Sequence, residues 1–343
     1  MSKIALIGLG YWGEKILRNL VELTGSDRVM GIDTNPARVA AMARRYPSLD
    51  YRTEVGAIED DDVEAVIVAT PVESHARLVR RALSAGRHVL VEKPLATRTE
   101  DAVELAEAAT RGGLTLMVGH TFLFSPRVEA VAEALRGGRI GQLAYMSTSR
   151  LNLGLYRSDI NVIWDLAPHD FSIIFYLLGE FPTRIQTTAR SSVQHGGIAD
   201  VAFVSLMFPS GVIASVVTSW RAPRKVRTVL VVGDRGMIVY DDTNGDEPVK
   251  LYDRGVVVTD SASFGENQLT YRYGDTVAPH VAPLEPLTLE LRHFLDSIGR
   301  QARPRSDGWF GVEVVRALEA ADQSWRSDGL PVDLPLPPVS RTA

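Results

Sequence analysis

The stretch IALIGLGYWG, residues 4–13, decides the fold of the first part of the chain. Its first four residues form a short apolar run, which predicts a buried strand, and a helical pattern follows it through Leu23. Gly8, Gly10 and Gly13 fall at the junction with the spacing G-x-G-x-x-G. A strand before this spacing and a helix after it are the context in which it binds the pyrophosphate of a dinucleotide.

Each glycine of this motif has a separate physical task. Gly8 permits the tight turn, Gly10 lets the backbone approach the pyrophosphate, and Gly13 lets the helix pack closely on the strand. We expect Tyr11 and Trp12, which lie inside the motif, to contact the same cofactor. A turn that binds no ligand is the alternative, because glycine is common in loops.

Asp33 follows a second predicted strand, residues 29–32, and stands 20 positions after Gly13. A carboxylate there accepts hydrogen bonds from the ribose hydroxyls and repels a 2′-phosphate. No Lys or Arg follows it before Arg38, so the sequence favours NAD over NADP. The alternative is that Asp33 caps a turn or a helix before Asn35-Pro36.

Further apolar strands at 63–69, 89–91 and 114–118 alternate with helical stretches, which predicts a parallel, doubly wound α/β sheet. We assign residues 1–122 to this Rossmann domain. Ligands bind at the carboxyl ends of the strands in such sheets. The following residues, at or after strand ends, are therefore expected to contact the cofactor: Thr70, Pro71, His75, Glu92, Lys93 and His120. A lone histidine at a helix start, such as His75, is more often a cap or a packing residue.

The pattern changes in the second part of the chain, residues 123–343. Short alternating runs separated by turns predict a large, mostly antiparallel open sheet, and hence an α+β domain that binds substrate and forms oligomers. Two closing helices are expected at about 284–326, and residues 259–286 read as a long irregular excursion. The main strand-like runs are 142–151, 184–191, 201–208, 212–220 and 226–232.

Composition limits the classes of function. A chain of 343 residues exceeds what one core usually organises, and its formal charge of −5 argues against a nucleic-acid partner. The absence of cysteine excludes disulfides and thiolate catalysis. We expect no metal site. The first residues lack the features of a signal peptide, and no apolar run is long enough to span a bilayer, so we expect a cytoplasmic protein with no membrane partner.

Several longer motifs are similar to those of one family. The first half contains GLGYWG, ATPVESHARLV, GRHVLVEKPLA and VGHTFLFSP, and the second contains RLNLG, WDLAPHD and EPLTLELRHFLDSI. Over nearly its whole length the chain resembles the glucose-fructose oxidoreductase, inositol dehydrogenase and rhizopine-catabolism (Gfo/Idh/MocA) family. The resemblance implies a dehydrogenase or reductase of sugars, cyclitols or nucleotide sugars that forms a homodimer or homotetramer through its C-terminal sheet.

The resemblance also implies three catalytic residues. Lys93 would contact the substrate hydroxyl and the nicotinamide ribose, and Asp165 and His169 would form the family's D-x-x-x-H pair. Residues i and i+4 share one face of a helix, and a histidine titrates in the range useful for proton transfer. Without the resemblance, Asp165 reads as a helix N-cap and His169 as a first-turn residue before an apolar face.

The segment before the pair departs from the common family pattern. Ala167 replaces a usual glycine between Asp165 and His169, and NVIW replaces a glycine pair. This puts the transfer of any particular sugar preference in doubt, although RLNLG and WDLAPHD look like the nucleotide-sugar dehydrogenase branch. The polar and aromatic residues near the pair are candidates for substrate contacts: Arg150, Asn152, Arg157, Asn161 and Trp164.

Three functions compete at this point. The leading one is an NAD-dependent oxidoreductase that moves hydride between a ring carbon of the substrate and the nicotinamide. The second is a non-catalytic sensor of a dinucleotide or sugar, against which the retained Lys, Asp and His argue. The third is an imine or amino-acid-type reductase on the same scaffold, which does not need this set of residues.

Overall fold

The structure is a computed structural model that describes residues 2–154, 156–158, 160–193, 197–259 and 268–335. The helices in these ranges are α1 Tyr11–Thr24, α2 Pro36–Arg45, α3 His75–Ser84, α4 Thr99–Gly112, α5 Pro126–Arg136, α6 Val162–Leu178, α7 Pro286–Arg300 and α8 Gly308–Arg326. None of these helices combines the length and the apolar character needed to cross a bilayer.

The strands of the same ranges belong to two sheets. In chain order they are β1 Lys3–Ile7, β2 Val29–Ile32, β3 Asp50–Arg52, β4 Val63–Val68, β5 His88–Glu92, β6 Leu116–Gly119, β7 Leu143–Leu153, β8 Arg184–Arg190, β9 Val201–Met207, β10 Ile213–Ser219, β11 Arg221–Gly233, β12 Met237–Asp241, β13 Val249–Thr259, β14 Gln268–Val277 and β15 Val332–Asp333. The chain packs as two compact units, which are described separately below.

The first unit contains residues 1–124 and 284–319 and is built on the six-stranded sheet. Its strands run in the order β3-β2-β1-β4-β5-β6, and every pair is parallel. The predicted doubly wound sheet is therefore confirmed. The order reverses at β1, and in such sheets ligands bind outside the carboxyl ends of the strands at this point.

The turn from β1 into α1 is set by a close approach between two glycines. Gly8 has a φ of +96°, a conformation that L side chains rarely adopt. A Cβ built on Gly13 would lie 1.8 Å from the carbonyl oxygen of Gly8. The first turn of α1 therefore rests directly on the end of β1, as the motif predicted.

The closing segment 284–319 packs with the first unit, whereas the sequence placed it in the second domain. The reason lies in hydrogen bonds that chain order does not reveal. Val118 N donates to Ser306 O over 2.8 Å, and Ser306 Oγ donates to Val118 O over 2.7 Å. Arg18 of α1 also bonds Glu285, with 2.7 Å between Nη2 and Oε2.

The second unit contains, among the described residues, 125–283 and 320–335. Its nine strands have the order β14-β13-β12-β11-β7-β10-β9-β8-β15. The β7–β10 pair is parallel and the other pairs are antiparallel. The expectation of a mostly antiparallel open sheet is confirmed. The expected irregular excursion at 259–286 is wrong in part, because β14 pairs with β13 at the sheet edge; residues 260–267 lie outside the described ranges.

Large apolar side chains are exposed on this sheet. On β9 exposed residues alternate with buried ones, and on β10 exposed or half-buried residues do so as far as Val217. Met207 and Ile213 are opposite each other in the register. Tyr145 of β7 is the neighbour of Ile213 on its other side. The set comprises Tyr145, Leu153, Phe203, Met207, Ile213, Val256, Tyr271, Tyr273 and Val277. We call these nine residues the apolar sheet surface.

The contact between Gly8 and Gly13 yields a stability prediction. Gly13→Ala is expected to lower the free energy of unfolding by about 3 kcal/mol, because the new methyl collides with backbone that has no room to move. Gly10→Ala is the matched control, since its nearest non-neighbouring atom would be 4.0 Å away, and should cost less than about 1 kcal/mol. Urea denaturation of both variants measures the difference, and equal losses would contradict the packing described.

Candidate functional site

The loop between β1 and α1 has the form needed to hold a pyrophosphate. A Cβ on Gly10 would meet only Arg38 Nη1 at 4.0 Å, so the backbone of Gly10 faces open space that a side chain would enter. The N-terminus of α1, with its unpaired N–H groups, points to the same place. Tyr11 is 81% exposed beside this loop, and Lys15 Nζ lies 4.6 Å from the centre of its ring. These residues fit a dinucleotide.

Asp33 is fixed to this loop by backbone hydrogen bonds. Leu9 N donates to Oδ2 and Asn35 N donates to Oδ1, both over 2.8 Å. Asn35 itself caps α2 by accepting from Ala37 N, so capping that helix is not the task of Asp33. Arg38 Nη1 lies 3.5 Å from Asp33 Oδ2. The loop after β2 thus holds both a fixed carboxylate and a guanidinium.

His75 connects the two loops that follow β4 and β5. Its ring nitrogens lie 2.9 Å from the carbonyl oxygens of Thr70 and Pro94. The ring is buried, and this burial lowers its pKa despite the two carbonyl contacts. His75 therefore has a packing function that holds Thr70-Pro71 and Lys93-Pro94 together, while a direct contact of His75 or Pro71 with cofactor stays a prediction.

Glu92, the last residue of β5, is an acid that titrates near neutrality. Trp12 Nε1 of α1 donates a hydrogen bond to Glu92 Oε1. Burial raises the pKa of Glu92 to about 7, although the Trp12 hydrogen bond and the positive charge of Lys93 act in the opposite direction. Trp12, Glu92 and Lys93, all predicted from the sequence, are thus brought together at the carboxyl edge of the sheet.

His120 follows β6 at the same edge and is almost completely buried. Its ring meets Phe310 edge-on, with 5.7 Å between the ring centres. Burial, with a contribution from the positive charge of Lys93, lowers the pKa of His120 to about 3. The imidazole is therefore neutral at physiological pH.

Glu290 of α7 is a residue that the sequence reasoning missed. It is 1% exposed, and Thr121 Oγ1 donates to its Oε2 over 2.8 Å. Burial first, and then the like charge of Glu92, hold the pKa of Glu290 well above its usual range. A signal was present, because Glu290 falls on the buried face of α7 formed by Leu287, Leu291 and Phe294.

In the second unit, α6 begins earlier than the sequence indicated. Asn161 is the N-cap, and its Oδ1 accepts from Ile163 N over 3.1 Å and from Trp164 N over 3.2 Å. Its Nδ2 donates to Asp322 Oδ1 over 2.7 Å. The alternative in which Asp165 caps the helix is therefore wrong. The predicted substrate contacts of Asn161 and of Trp164, which lies in the first turn, stay predictions.

Asp165 and His169 lie one helical turn apart on α6. Trp220 Nε1 donates to Asp165 Oδ2 over 2.9 Å, and Arg157 Nη1 lies 3.8 Å from Asp165 Oδ1. Pro168, just before His169, has no N–H to bond the carbonyl of Trp164. The Asp165 carboxylate is thus oriented by the hydrogen bond from Trp220 and lies within ion-pair distance of Arg157.

Trp220 is the second residue that the sequence reasoning missed. A Cβ on Gly154 would lie 3.1 Å from Trp220 Cδ1 and 3.2 Å from Asn152 Nδ2, so Asn152 borders the same place. The indole is 1% exposed, and a buried tryptophan usually finds a partner for its N–H. The structure thus brings Asn152, Arg157, Asp165 and Trp220 into one cluster.

Arg150 lies elsewhere, in the interior of the second unit. Its Nε donates to Asp170 Oδ2 over 2.7 Å, and both side chains are almost completely buried. Burial raises the pKa of Asp170, against the positive charge of Arg150. The guanidinium is therefore committed to a buried ion pair, and a contact of Arg150 with substrate stays a prediction.

Comparison with known families matches both parts of the chain. The Gfo/Idh/MocA model, described as an oxidoreductase family with an NAD-binding Rossmann fold, matches residues 2–120. The model of the C-terminal domain of the same family matches residues 128–239.

Individual proteins and solved structures are also similar to this chain, over 73% of its length or more. D-apiose dehydrogenase of Paraburkholderia graminis is 30% identical, over 97% of this chain and 89% of that protein. A 4-carboxy-2-hydroxymuconate-6-semialdehyde dehydrogenase of a Sphingobium species is 30% identical, over 73% of this chain and 83% of its own length. The structure of UDP-N-acetylglucosamine 3-dehydrogenase from Acidithiobacillus ferrooxidans is 25% identical, with a TM-score of 0.78 and coverage of 95% and 97%.

The contact between Arg38 and Asp33 yields a prediction about the cofactor. In Asp33→Ser, the charge that repels a 2′-phosphate is gone and Arg38 is released to bind it. The ratio of NADPH affinity to NADH affinity should rise by about tenfold or more, a change of about 1.4 kcal/mol. Fluorescence titration measures both affinities. Adding Arg38→Ala should cancel the gain for NADPH, and an unchanged ratio in Asp33→Ser would contradict the assignment.

Proposed function

Because the chain belongs to the Gfo/Idh/MocA oxidoreductase family, we propose that it transfers hydride between NAD and a ring carbon of a sugar, cyclitol or nucleotide-linked sugar. The observation that carries the proposal is the pair on α6, where Asp165 is held by Trp220 one turn before His169. A helix that merely packs has no need of a buried indole directed at its first-turn carboxylate.

NAD is the cofactor that we propose for this site. When bound, it accepts or returns the hydride, which is the redox part of the reaction. The loop of Gly8, Gly10 and Gly13 would hold the pyrophosphate, and Asp33 would accept hydrogen bonds from the ribose hydroxyls. The two backbone hydrogen bonds to Asp33 support this, because they fix its negative charge near the place where a 2′-phosphate would lie. That charge would repel the phosphate.

Lys93, Asp165 and His169 would act on the same substrate hydroxyl. In the direction of oxidation, His169 would take the hydroxyl proton as hydride leaves carbon, and the ammonium of Lys93 would stabilise the developing negative charge on oxygen. Asp165 would orient Lys93 or His169 and balance the positive charge on that group. Its hydrogen bond from Trp220 supports this role, because it fixes the carboxylate before the substrate arrives.

Asn152, Arg157 and Trp164 would contact the substrate. Arg157 is partly exposed near Asp165 and can pair with a carboxylate or a phosphate of a nucleotide sugar. The similarity to a UDP-N-acetylglucosamine 3-dehydrogenase supports a nucleotide-linked sugar, and the similarity to D-apiose dehydrogenase supports a free sugar. We favour the nucleotide-linked class, with oxidation at a ring carbon such as C3.

The apolar sheet surface would bind a second copy of this chain, giving a homodimer or a homotetramer. Met207, Ile213 and Tyr145 form a continuous apolar row across three strands. Apolar patches of this kind on a sheet usually mark an interaction site. A second copy is the occupant that the family resemblance implies.

His169→Ala tests the proposed chemistry. The native protein is assayed for reduction of NAD with nucleotide sugars, free sugars, cyclitols and hydroxy-semialdehydes. At least one of these compounds should serve as a substrate. The variant should lose 10²-fold to 10⁴-fold in kcat, the usual contribution of a general base, while NADH affinity changes less than about twofold. His280→Ala is the control, because His280 is exposed and lies outside the proposed site. Normal turnover in His169→Ala would reject the role of this residue.

Phe203→Glu combined with Ile213→Glu tests the proposed self-association. Two charges on the apolar sheet surface should convert the oligomer to a monomer, because ionised groups are costly to bury without partners. Analytical ultracentrifugation measures the mass. Leu330→Glu is the control, since Leu330 is also an exposed apolar residue but lies outside the sheet. A native monomer, or an oligomer that survives both charges, would refute the interface.

A further inference from the structure

Glu290 is a buried carboxyl group with an incomplete set of hydrogen bonds. Thr121 Oγ1 donates to Oε2, but Oε1 is buried and has no hydrogen-bond partner among the described residues. A buried carboxylate oxygen without a donor is costly, because water no longer solvates its charge. An oxygen that carries a proton instead becomes a donor and needs an acceptor nearby.

Glu92 is the acidic group whose charge acts on Glu290. It is opposite Gly119 in the register of β5 and β6, and a Cβ on Gly119 would lie 3.2 Å from Glu92 Oε1. The Glu92 side chain therefore lies against the end of β6. Two residues after Gly119, Thr121 bonds Glu290, so both carboxyl groups border the same short segment, residues 119–121.

We propose that Glu92 and Glu290 form a carboxyl pair that holds one proton above neutral pH, with Glu290 as the protonated member. Glu290 is then a positioning residue, because its acid group directs the Glu92 carboxylate toward Trp12 and Lys93. The proposal deepens the proposed function, on which it rests only for the role of Lys93.

Charge balance supports one proton rather than none. Lys93 contributes a positive charge beside the pair, and a single carboxylate on Glu92 neutralises it. Two carboxylates would leave an excess negative charge in the interior. Two carboxyl groups that share a site do not both ionise easily, because their like charges repel. The charged and titratable groups on the elements around the pair include Lys15 of α1, whose Nζ lies 5.8 Å from the centre of the Trp12 ring, His120, whose pKa is about 3, and His293 of α7, whose pKa is lowered by burial.

The pair also makes the charge beside Lys93 depend on pH. Glu92 takes up a proton as the pH falls through about 7, and Lys93 then loses its counter-charge. An ionisation near neutrality in cofactor binding would belong to this carboxyl group rather than to His75 or His120, whose pKa values are both lowered by burial. The two steps belong to the pair as a whole, because its members interact.

Infrared spectroscopy of the protein without ligand tests the shared proton directly. At pH 8 the native protein should show the C=O band of one protonated carboxylic acid, and Glu290→Gln should lose it. In Glu92→Gln the band of Glu290 should remain but titrate at lower pH, since the like charge is gone. Glu313→Gln is the matched control, because Glu313 is also nearly buried in the first unit but pairs with Arg316.

The positioning role is tested by NADH affinity. Glu290→Gln keeps a neutral donor and acceptor, so its affinity should stay within about twofold of native, whereas Glu290→Ala should lose about tenfold. An infrared band that survives Glu290→Gln would overturn the shared proton. Equal NADH affinities of Glu290→Gln and Glu290→Ala would overturn the positioning role. If the native protein oxidises no substrate, the proposed function fails while the infrared result still decides the pair.

Discussion

The approach of α1 to the end of β1 is the contact on which the first unit depends. Only a residue without a Cβ at Gly13 lets the helix rest on Gly8, and Gly8 in turn has no Cβ to collide with the carbonyl of Ala69 after β4. Once the helix is there, its start points at the carboxyl edge of the sheet, and the groups around it find their partners. Leu9 N reaches Asp33, and the Trp12 indole reaches Glu92. A single steric constraint thus organises the proposed cofactor site.

The second unit fixes its candidate catalytic groups by polar contacts rather than by close backbone packing. Asn161 sets where α6 begins, and Trp220 sets the direction of the Asp165 carboxylate one turn later. If the proposed roles of Asp165 and His169 hold, groups fixed in this way would lose little freedom when substrate binds, and this preorganisation would lower the barrier. The carboxyl group of Glu92 is likewise held by the Trp12 indole, so each unit pairs an acid with a tryptophan.

Features determined by local sequence could be predicted, and those determined by distant contacts could not. The glycine motif encodes its own strand, turn and helix, so the parallel sheet followed from it. Glu290 is nearly 200 residues from Glu92 and sits among apolar residues of an ordinary amphipathic helix. Trp220 lies between β10 and β11, where the sequence pattern requires only a large apolar side chain. The membership of 284–319 in the first unit depends on hydrogen bonds between Ser306 and Val118, which no local pattern contains.

The central claim, hydride transfer between a sugar ring carbon and NAD, is tested most directly by following the hydrogen itself. A nucleotide sugar that carries deuterium on the ring carbon at C3 is incubated with the protein and NAD, and the reduced cofactor is analysed by mass spectrometry. The account predicts that the deuterium is found in the reduced nicotinamide. Sugars deuterated at each ring carbon in turn, free and nucleotide-linked, extend the measurement to the whole proposed class. A cofactor that binds but gains no deuterium from any of them would contradict the account.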